Sequence, residues 1–310
     1  MASAVVFAYH NVGVACLRVL LAQGVDVRQV VTHHDNPNEN VWFDSVEKMA
    51  REHGIAVAIP DDPNTPEFIA EVAALKTDFL FSFYYRMMLS PALLATAKRG
   101  AFNMHGSLLP KYRGRVPINW AIIKGETETG ATLHEMVEKP DAGRIVDQQA
   151  VPILPDETAL EVFIKVTEAA AETLTRALPG LVDGSAVLKA QDLKAGSYFG
   201  GRQPDDGIIN WHESAQNIHN LVRAVAPPYP GATTTIAGRR VTINKTSLPP
   251  PHFTHANAGF LNISSSRAIA LCGDGRMLRV LEAEIDGKIH DETALAGVFG
   301  VGLHTLGAYT

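Results

Sequence analysis

At 310 residues, with 46% hydrophobic and 19% charged side chains, the chain can bury a sizeable core and is better divided into two domains than left as one. Its formal net charge of -6 argues against a large nucleic-acid footprint, and no apolar run approaches the roughly 20 residues needed to span a bilayer. The opening MASAVVFAYH lacks the basic region of a signal peptide, and Cys16 and Cys272 are too far apart in sequence for a disulfide framework or a metal pair, so a soluble cytoplasmic protein with two small core cysteines is expected.

Ala4 to Tyr9 predicts a first strand, His10-Asn11-Val12-Gly13 a turn, and Val14, Leu17, Leu20 and Leu21 one face of a helix that Gly24 ends. Val27 to Val31 predicts a second strand. The first turn does not supply G-x-G-x-x-G, so neither NAD nor FAD is expected. His33, His34 and Asp35 look at first like a metal site, but adjacent histidines in a strand point to opposite faces, and polar loop residues are the expected reading. Helices are predicted over Phe43 to His53, after Thr65-Pro66 with Thr65 as the cap, and after Ser90-Pro91. Strands are predicted at Ile55 to Ile59, Phe79 to Phe83 and Ala101 to Asn103. This alternation implies parallel pairing in an open, twisted α/β sheet, whose ligands bind beyond the carboxyl ends of its strands.

Thr129 to Val137 and Ile145 to Val151 read as two further strands joined by a Pro-Asp-Ala-Gly turn. A long helix follows, with Thr158 and Glu161 as a capping box, Leu160, Phe163, Ile164, Thr167, Ala171, Leu174 and Leu178 along one face, and Pro179-Gly180 as its end. GRQPDDGIINWHESA is polar and loop-like, and Ile218, Leu221, Val222 and Val225 mark a short amphipathic helix. Short runs at Ala232 to Ile236, Arg240 to Lys245, Ala268 to Cys272 and Met277 to Leu281 suit a small β-barrel or sandwich. The expected domains are residues 1–203 and a smaller β-rich domain over 204–310.

The stretch FNMHGSLLPKYRGR carries the chemistry. Asn103 and His105 fall on the same side of a strand end, which brings an amide suited to a developing oxyanion beside an imidazole that can move a proton near neutral pH. A group to orient the imidazole is still needed, and Asp141 in the rigid turn Lys139 to Gly143 is the natural third member. Taken singly, such residues more often serve as structural histidine, turn former and turn signal. FSFYYRMML leaves a strand and reads equally as core or as a ligand wall, whereas Lys111, Arg113 and Arg115, placed beside His105, point to anion binding over a solvated basic face.

Taken together, NMHGSLLPKYRGRVPINWAI and GETETGATLHEMVEKPDAG resemble the signature of the formyltransferases that use 10-formyltetrahydrofolate. The resemblance implies a Rossmann-like first domain with an OB-like second domain, and Asn103, His105 and Asp141 as the catalytic trio. It implies 10-formyltetrahydrofolate as co-substrate without a metal, with Met87, Met88 and Leu89 on one wall of its site, Val137, Glu138, Lys139, Pro140 and Asp141 on the other, and Arg115 beside them. FAYHNVG, THHDNP, FSFYYR, GRQPDD, INWH and NLVRAVAPPYPGA extend the likeness over nearly the whole chain, toward the N-terminal domain of UDP-4-amino-4-deoxy-L-arabinose formyltransferases. That branch implies a small-molecule nucleotide-sugar substrate, a role in lipid A modification and polymyxin resistance, and neither nucleic acid nor membrane as partner. It leaves room for a homo-oligomer and, since the sequence stops at Thr310 without a second dinucleotide-binding domain, for a separate decarboxylase chain. Methionyl-tRNA formyltransferases share NxHGSLLP, and the same trio could deliver water in a formyltetrahydrofolate hydrolase, so both stand as alternatives, with a non-catalytic folate-binding protein the third.

Overall fold

The computed structural model describes residues 1–37, 40–250 and 258–307. Strand β1 (Ser3–Ala8) is buried at every position, as befits the middle of a parallel sheet covered on both faces. The chain continues through α1 (His10–Ala22), β2 (Asp26–Val31), α2 (Val46–Glu52), β3 (Ala56–Ala58), α3 (Pro66–Ala74), β4 (Phe79–Phe83), α4 (Pro91–Leu94) and β5 (Gly100–His105). It then forms β6 (Arg113–Gly114), α5 (Pro117–Ile123), β7 (Glu128–Glu135), β8 (Ile145–Pro152), α6 (Ala159–Asp183) and β9 (Tyr198–Phe199). The main sheet has the order β3-β2-β1-β4-β5-β7-β8. Its first five strands pair in parallel, as their alternation with helices predicts, and β7 runs antiparallel to β5. The chain winds outward from β1 to β3 and returns to β4 on the other side of β1, and that reversal opens a crevice at the carboxyl ends of the strands.

Capping explains several helix starts. The side chains of Ser45, Thr65 and Ser90 accept the N–H groups of Lys48, Phe68 and Leu93. The Ser45 cap starts α2 three residues later than the periodicity predicts, and Trp42 and Phe43 instead pack against His10, with ring centroids at 4.6 and 4.0 Å. The expected turn over residues 10–13 is the first turn of α1. Gly13 lets that helix close on the sheet, because a Cβ there would lie 3.1 Å from Ala8 Cβ and 2.9 Å from Val46 Cγ2. On the opposite face, Phe68, Val72 and Leu93 of α3 and α4 pack on Val5, Phe7, Leu80 and Ala101. Helix α6 runs through Pro179 to Asp183 where the sequence predicts an end. Pro179 cannot donate to the carbonyl one turn back, and Gln23 Nε2 donates to that Thr175 oxygen instead, at 3.0 Å.

By their contacts the residues divide into two units, one of 1–117, 128–151 and 164–200, the other of 118–127, 152–163 and 201–310. A linear split at 203/204 therefore separates two segments from the unit they pack in. Polar side chains of α7 (Ala215–Val225) explain their attachment: Arg223 donates to the carbonyls of Leu154 and Glu157, and the Ala224 carbonyl accepts from Asn119. The rest of the second unit comprises β10 (Ala232–Ile236), β11 (Arg239–Ser247), β12 (Phe260–Ile263), β13 (Ala268–Leu271), β14 (Met277–Ile285), β15 (Lys288–Asp291), α8 (Leu295–Phe299) and β16 (Gly302–Gly307). The order β11-β10-β16-β12-β13-β14 closes through β11–β14 pairing into a β-barrel, with β15 on the outer edge of β14. Val241, Ile243, Leu261, Ile263, Leu278 and Val280 are buried in this unit. Cys16 and Cys272 are both free and buried. Among the described residues no helix is long and apolar enough to cross a membrane.

Candidate active site

Asn103 and His105 close β5 on the side that Ala101 turns toward α3 and α4. The antiparallel partner doubles this pair: Asn103 lies opposite His134 and His105 opposite Thr132, and directly opposed residues share a face. Four polar side chains thus form a square, with His105, Thr132 and His134 buried and Asn103 half-buried. Thr132 Oγ1 donates to the Ser107 carbonyl at 2.6 Å and accepts from Leu109 N–H at 3.2 Å and Gln148 Nε2 at 2.8 Å, which ties down the loop after β5.

Asp141 enters from the turn between β7 and β8, where it holds φ +52°, a left-handed conformation that Asp tolerates better than most side chains. Gln191 Nε2 donates to the carbonyls of both Asp141 (3.0 Å) and Gly143 (2.6 Å) and so clasps the turn. Gly114 N–H donates to Asp141 Oδ2 at 2.8 Å, while Oδ1 faces His105 Nδ1 at 3.6 Å and His134 Nε2 at 3.5 Å. Burial works against the Asp141 charge, but the facing His105 and His134 imidazoles and the Gly114 N–H outweigh it and hold the carboxyl well below the usual carboxylate range.

The hydrogen-bond partners assign the ring protons. His105 Nε2 is 2.8 Å from the Tyr112 carbonyl, which can only accept, so that nitrogen carries a proton. On its other side, Nδ1 faces the Asp141 carboxylate. His134 differs: its Nδ1 donates to the Glu135 carbonyl at 2.9 Å, and its Nε2 lies 3.1 Å from Asn103 Nδ2. A bare Nε2 accepts from that amide. The two rings are 6.4 Å apart by centroids, and one carboxylate between them balances one extra charge.

The remaining sequence-derived site residues are placed unevenly. Leu89 packs in the core with Leu93 and Phe68, so Met87 and Met88, 38% and 58% exposed, are the side chains of that segment open to a ligand. Met136 packs against the same core, which brings the exposed Val137 to its rim and sets the two expected walls on one base. Asn64 fixes the first wall, donating to the Met88 carbonyl at 2.9 Å and accepting from Ser90 N–H at 2.7 Å. Glu138, Lys139 and Arg115 are exposed and Pro140 is half-buried. Arg113 does not face a ligand: it is buried, and its guanidinium donates to the carbonyls of Ser197 and Leu193. His33 is a stacking residue, parallel to Tyr85 at 4.1 Å and accepting from Arg86 N–H at 3.0 Å. Among the described residues no group of three or more His, Cys, Asp or Glu is arranged to hold a metal ion. Sequence reasoning missed Thr132, His134 and Gln191. The alternation of polar Thr132 and His134 with apolar Ala131 and Leu133 was a readable signal, but nothing local identified the partner strand.

A family model described as formyl transferase matches residues 11–178, more than half of the chain, and one described as formyl transferase, C-terminal domain, matches 202–294. The chain belongs to the formyl transferase family and is a formyl-group transferase. Among solved structures it is similar to an N-formyltransferase from Helicobacter canadensis in complex with folinic acid and dTDP-3-aminofucose, at 22% identity and a TM-score of 0.71, over 90% of this chain and 99% of that one. It is also similar to WlaRD, a sugar 3N-formyl transferase in the presence of dTDP and 5-N-formyl-THF, at 21% identity and a TM-score of 0.70, over 93% and 99% of the two chains. HypX from Aquifex aeolicus in complex with tetrahydrofolic acid matches at 17% identity and a TM-score of 0.63, over 96% of this chain and 48% of that one. At these identities the likeness is one of fold.

Proposed function

We propose that this enzyme moves a formyl group from 10-formyltetrahydrofolate to the primary amine of a nucleotide-linked amino sugar, with UDP-4-amino-4-deoxy-L-arabinose as the acceptor and lipid A modification as the use of the product. The observation that carries the reaction class is the convergence of the Asn103 amide, the His105 imidazole and the half-buried Asp141 carboxylate at one strand end. The sugar branch is supported by FAYHNVG and FSFYYR and by the likeness in fold to N-formyltransferases solved with dTDP-3-aminofucose and with dTDP. In this reading the first unit carries the chemistry and the second, which includes residues 204–310, is accessory.

The donor fits the first unit. Met87, Met88 and Val137 offer exposed apolar surface around one shared core, suited to a flat ring system, and Arg115 offers a cation for the carboxylates of its tail. When bound, 10-formyltetrahydrofolate supplies an activated formyl carbon. The chain supplies the rest. His105 Nδ1 is held toward Asp141, so Nε2 is the nitrogen that meets substrate: with the ring neutral and its one proton on Nδ1, a bare Nε2 turned from the Tyr112 carbonyl to the amine takes the amine's proton and later returns it to the leaving nitrogen. The half-buried Asn103 amide donates to the oxyanion that forms on the formyl oxygen. Asp141 holds the ring's orientation and favours the imidazolium that forms.

Hydrogen exchange with 5-formyltetrahydrofolate as the probe is expected to protect residues 87–89 and 137–141. Protection confined to β10–β16 would defeat this donor pocket. For the acceptor, UDP-, dTDP- and GDP-linked amino sugars and charged initiator tRNA are to be compared with the formyl donor by product mass. UDP-4-amino-4-deoxy-L-arabinose is expected to give the highest kcat/KM. A preference for dTDP-3-aminofucose would move the assignment within the sugar branch, and formylation of tRNA alone would overturn it.

A further inference from the structure

We propose that His134 is a positioning residue that holds the Asn103 amide in its donor orientation. The inference rests on the reading of Asn103 as the oxyanion donor and concerns what makes that amide usable. An Asn side chain at a strand end can face either way, presenting NH₂ or oxygen to the same point, and only one orientation stabilises an oxyanion.

His134 selects between them by its tautomer. The strand register places it directly opposite Asn103, and at 2% exposure its ring is buried. The Glu135 carbonyl accepts the Nδ1 proton at 2.9 Å, which leaves Nε2 of the neutral ring as a bare acceptor aimed at the amide. The amide oxygen placed there would set lone pair against lone pair. The NH₂ end, 3.1 Å away, completes a hydrogen bond with one of its two protons and keeps the second for the reacting group. Asp141 Oδ1, at 3.5 Å, is shared with His105, whose two nitrogens both face oxygens, and the Glu135 carboxylate is paired with Arg144 at 2.9 Å. Protonation of His134 would reverse the preference, because Nε2–H would then call for the amide oxygen.

The test is a double-mutant cycle in single-turnover formyl transfer at saturating donor, with Asn103→Ala, His134→Leu and the double variant. Removal of one oxyanion donor typically costs roughly 10²–10³-fold in rate, and His134→Leu is expected to lose up to that range with the Kd for 5-formyltetrahydrofolate little changed. Because the histidine acts through the amide, the double variant should be no slower than Asn103→Ala. His134→Gln, whose amide oxygen can accept the same proton, should recover a substantial part of the rate. If His134→Leu does not fold, His134→Val, a residue suited to a strand, takes its place in the cycle. Additive losses with a slow Asn103→Ala would overturn this inference and leave the proposed function standing. A wild-type rate in Asn103→Ala would remove the oxyanion reading itself, and the inference with it.

Discussion

Asp141→Asn is expected to slow single-turnover formyl transfer far more than it weakens donor binding. The amide is nearly isosteric with the carboxylate, so the turn clasped by Gln191 survives, but the charge that faces His105 at 3.6 Å and accepts Gly114 N–H is gone. His105→Ala should cost roughly 10²–10⁴-fold in the chemical step, the range for a positioned acid/base group. If the two residues act as one unit, the double variant will be little worse than the worse single one. Fully additive losses, or near wild-type turnover by Asp141→Asn, would assign Asp141 to the turn alone. The same variant has a signature in acid. The Asp141 carboxyl is held below its ordinary value, so its contribution to stability is present above the unfolded pKa of about 3.9 and is lost as pH falls toward the folded one. Wild type should therefore lose its stability advantage over Asp141→Asn below about pH 4, as read by urea unfolding across the acid range.

The second large effect is expected from Gly143→Ala. Gly143 is buried where the chain recrosses β7, and a Cβ there would overlap the Glu135 carbonyl oxygen, a backbone atom that cannot swing away. Relief requires a shift of the 139–143 turn. That shift would loosen the Gln191 bonds to the Gly143 and Asp141 carbonyls and carry the Asp141 carboxylate away from His105. A loss of about 1–3 kcal/mol in unfolding free energy is expected from overpacking of this kind, together with a fall in kcat at saturating substrates. Gly200→Ala, at an exposed position where a Cβ meets nothing within 4 Å, is the control and should be close to neutral in both. Unchanged kcat in a folded Gly143→Ala protein would show that the turn tolerates displacement and that the Asp141 position is not critical.

Much of the site was legible because its parts are local. A two-residue spacing at a strand end put Asn103 and His105 on one side whatever the rest of the chain did, and a Pro-Asp-Ala-Gly turn announced a carboxylate in a stiff setting. Caps at Thr65 and Ser90 were likewise readable, since each satisfies a backbone N–H within its own first turn. What failed locally was decided by neighbours far along the chain. Pro179 does not end α6 because Gln23, distant in sequence, supplies the donor that proline lacks. Arg113 is buried because carbonyls at 193 and 197 converge on it, and Leu89 joins a core built by α3 and α4.

By itself, then, the sequence determined the succession of strands and helices and the placing of Asn103 and His105 on one side of a strand end and of Asp141 in a turn, because alternation, capping and turn formation act over a few residues. Only the tertiary structure decided that β7 returns antiparallel to β5. Its register sets His134 against Asn103 and Thr132 against His105, and no local pattern encodes which strands become neighbours or at what offset. The closure of β11 onto β14 belongs to the same class of fact. Backbone hydrogen bonds between distant segments choose the partner, and the partner choice turns an amide and an imidazole into a four-residue polar square with a half-buried carboxylate at its side.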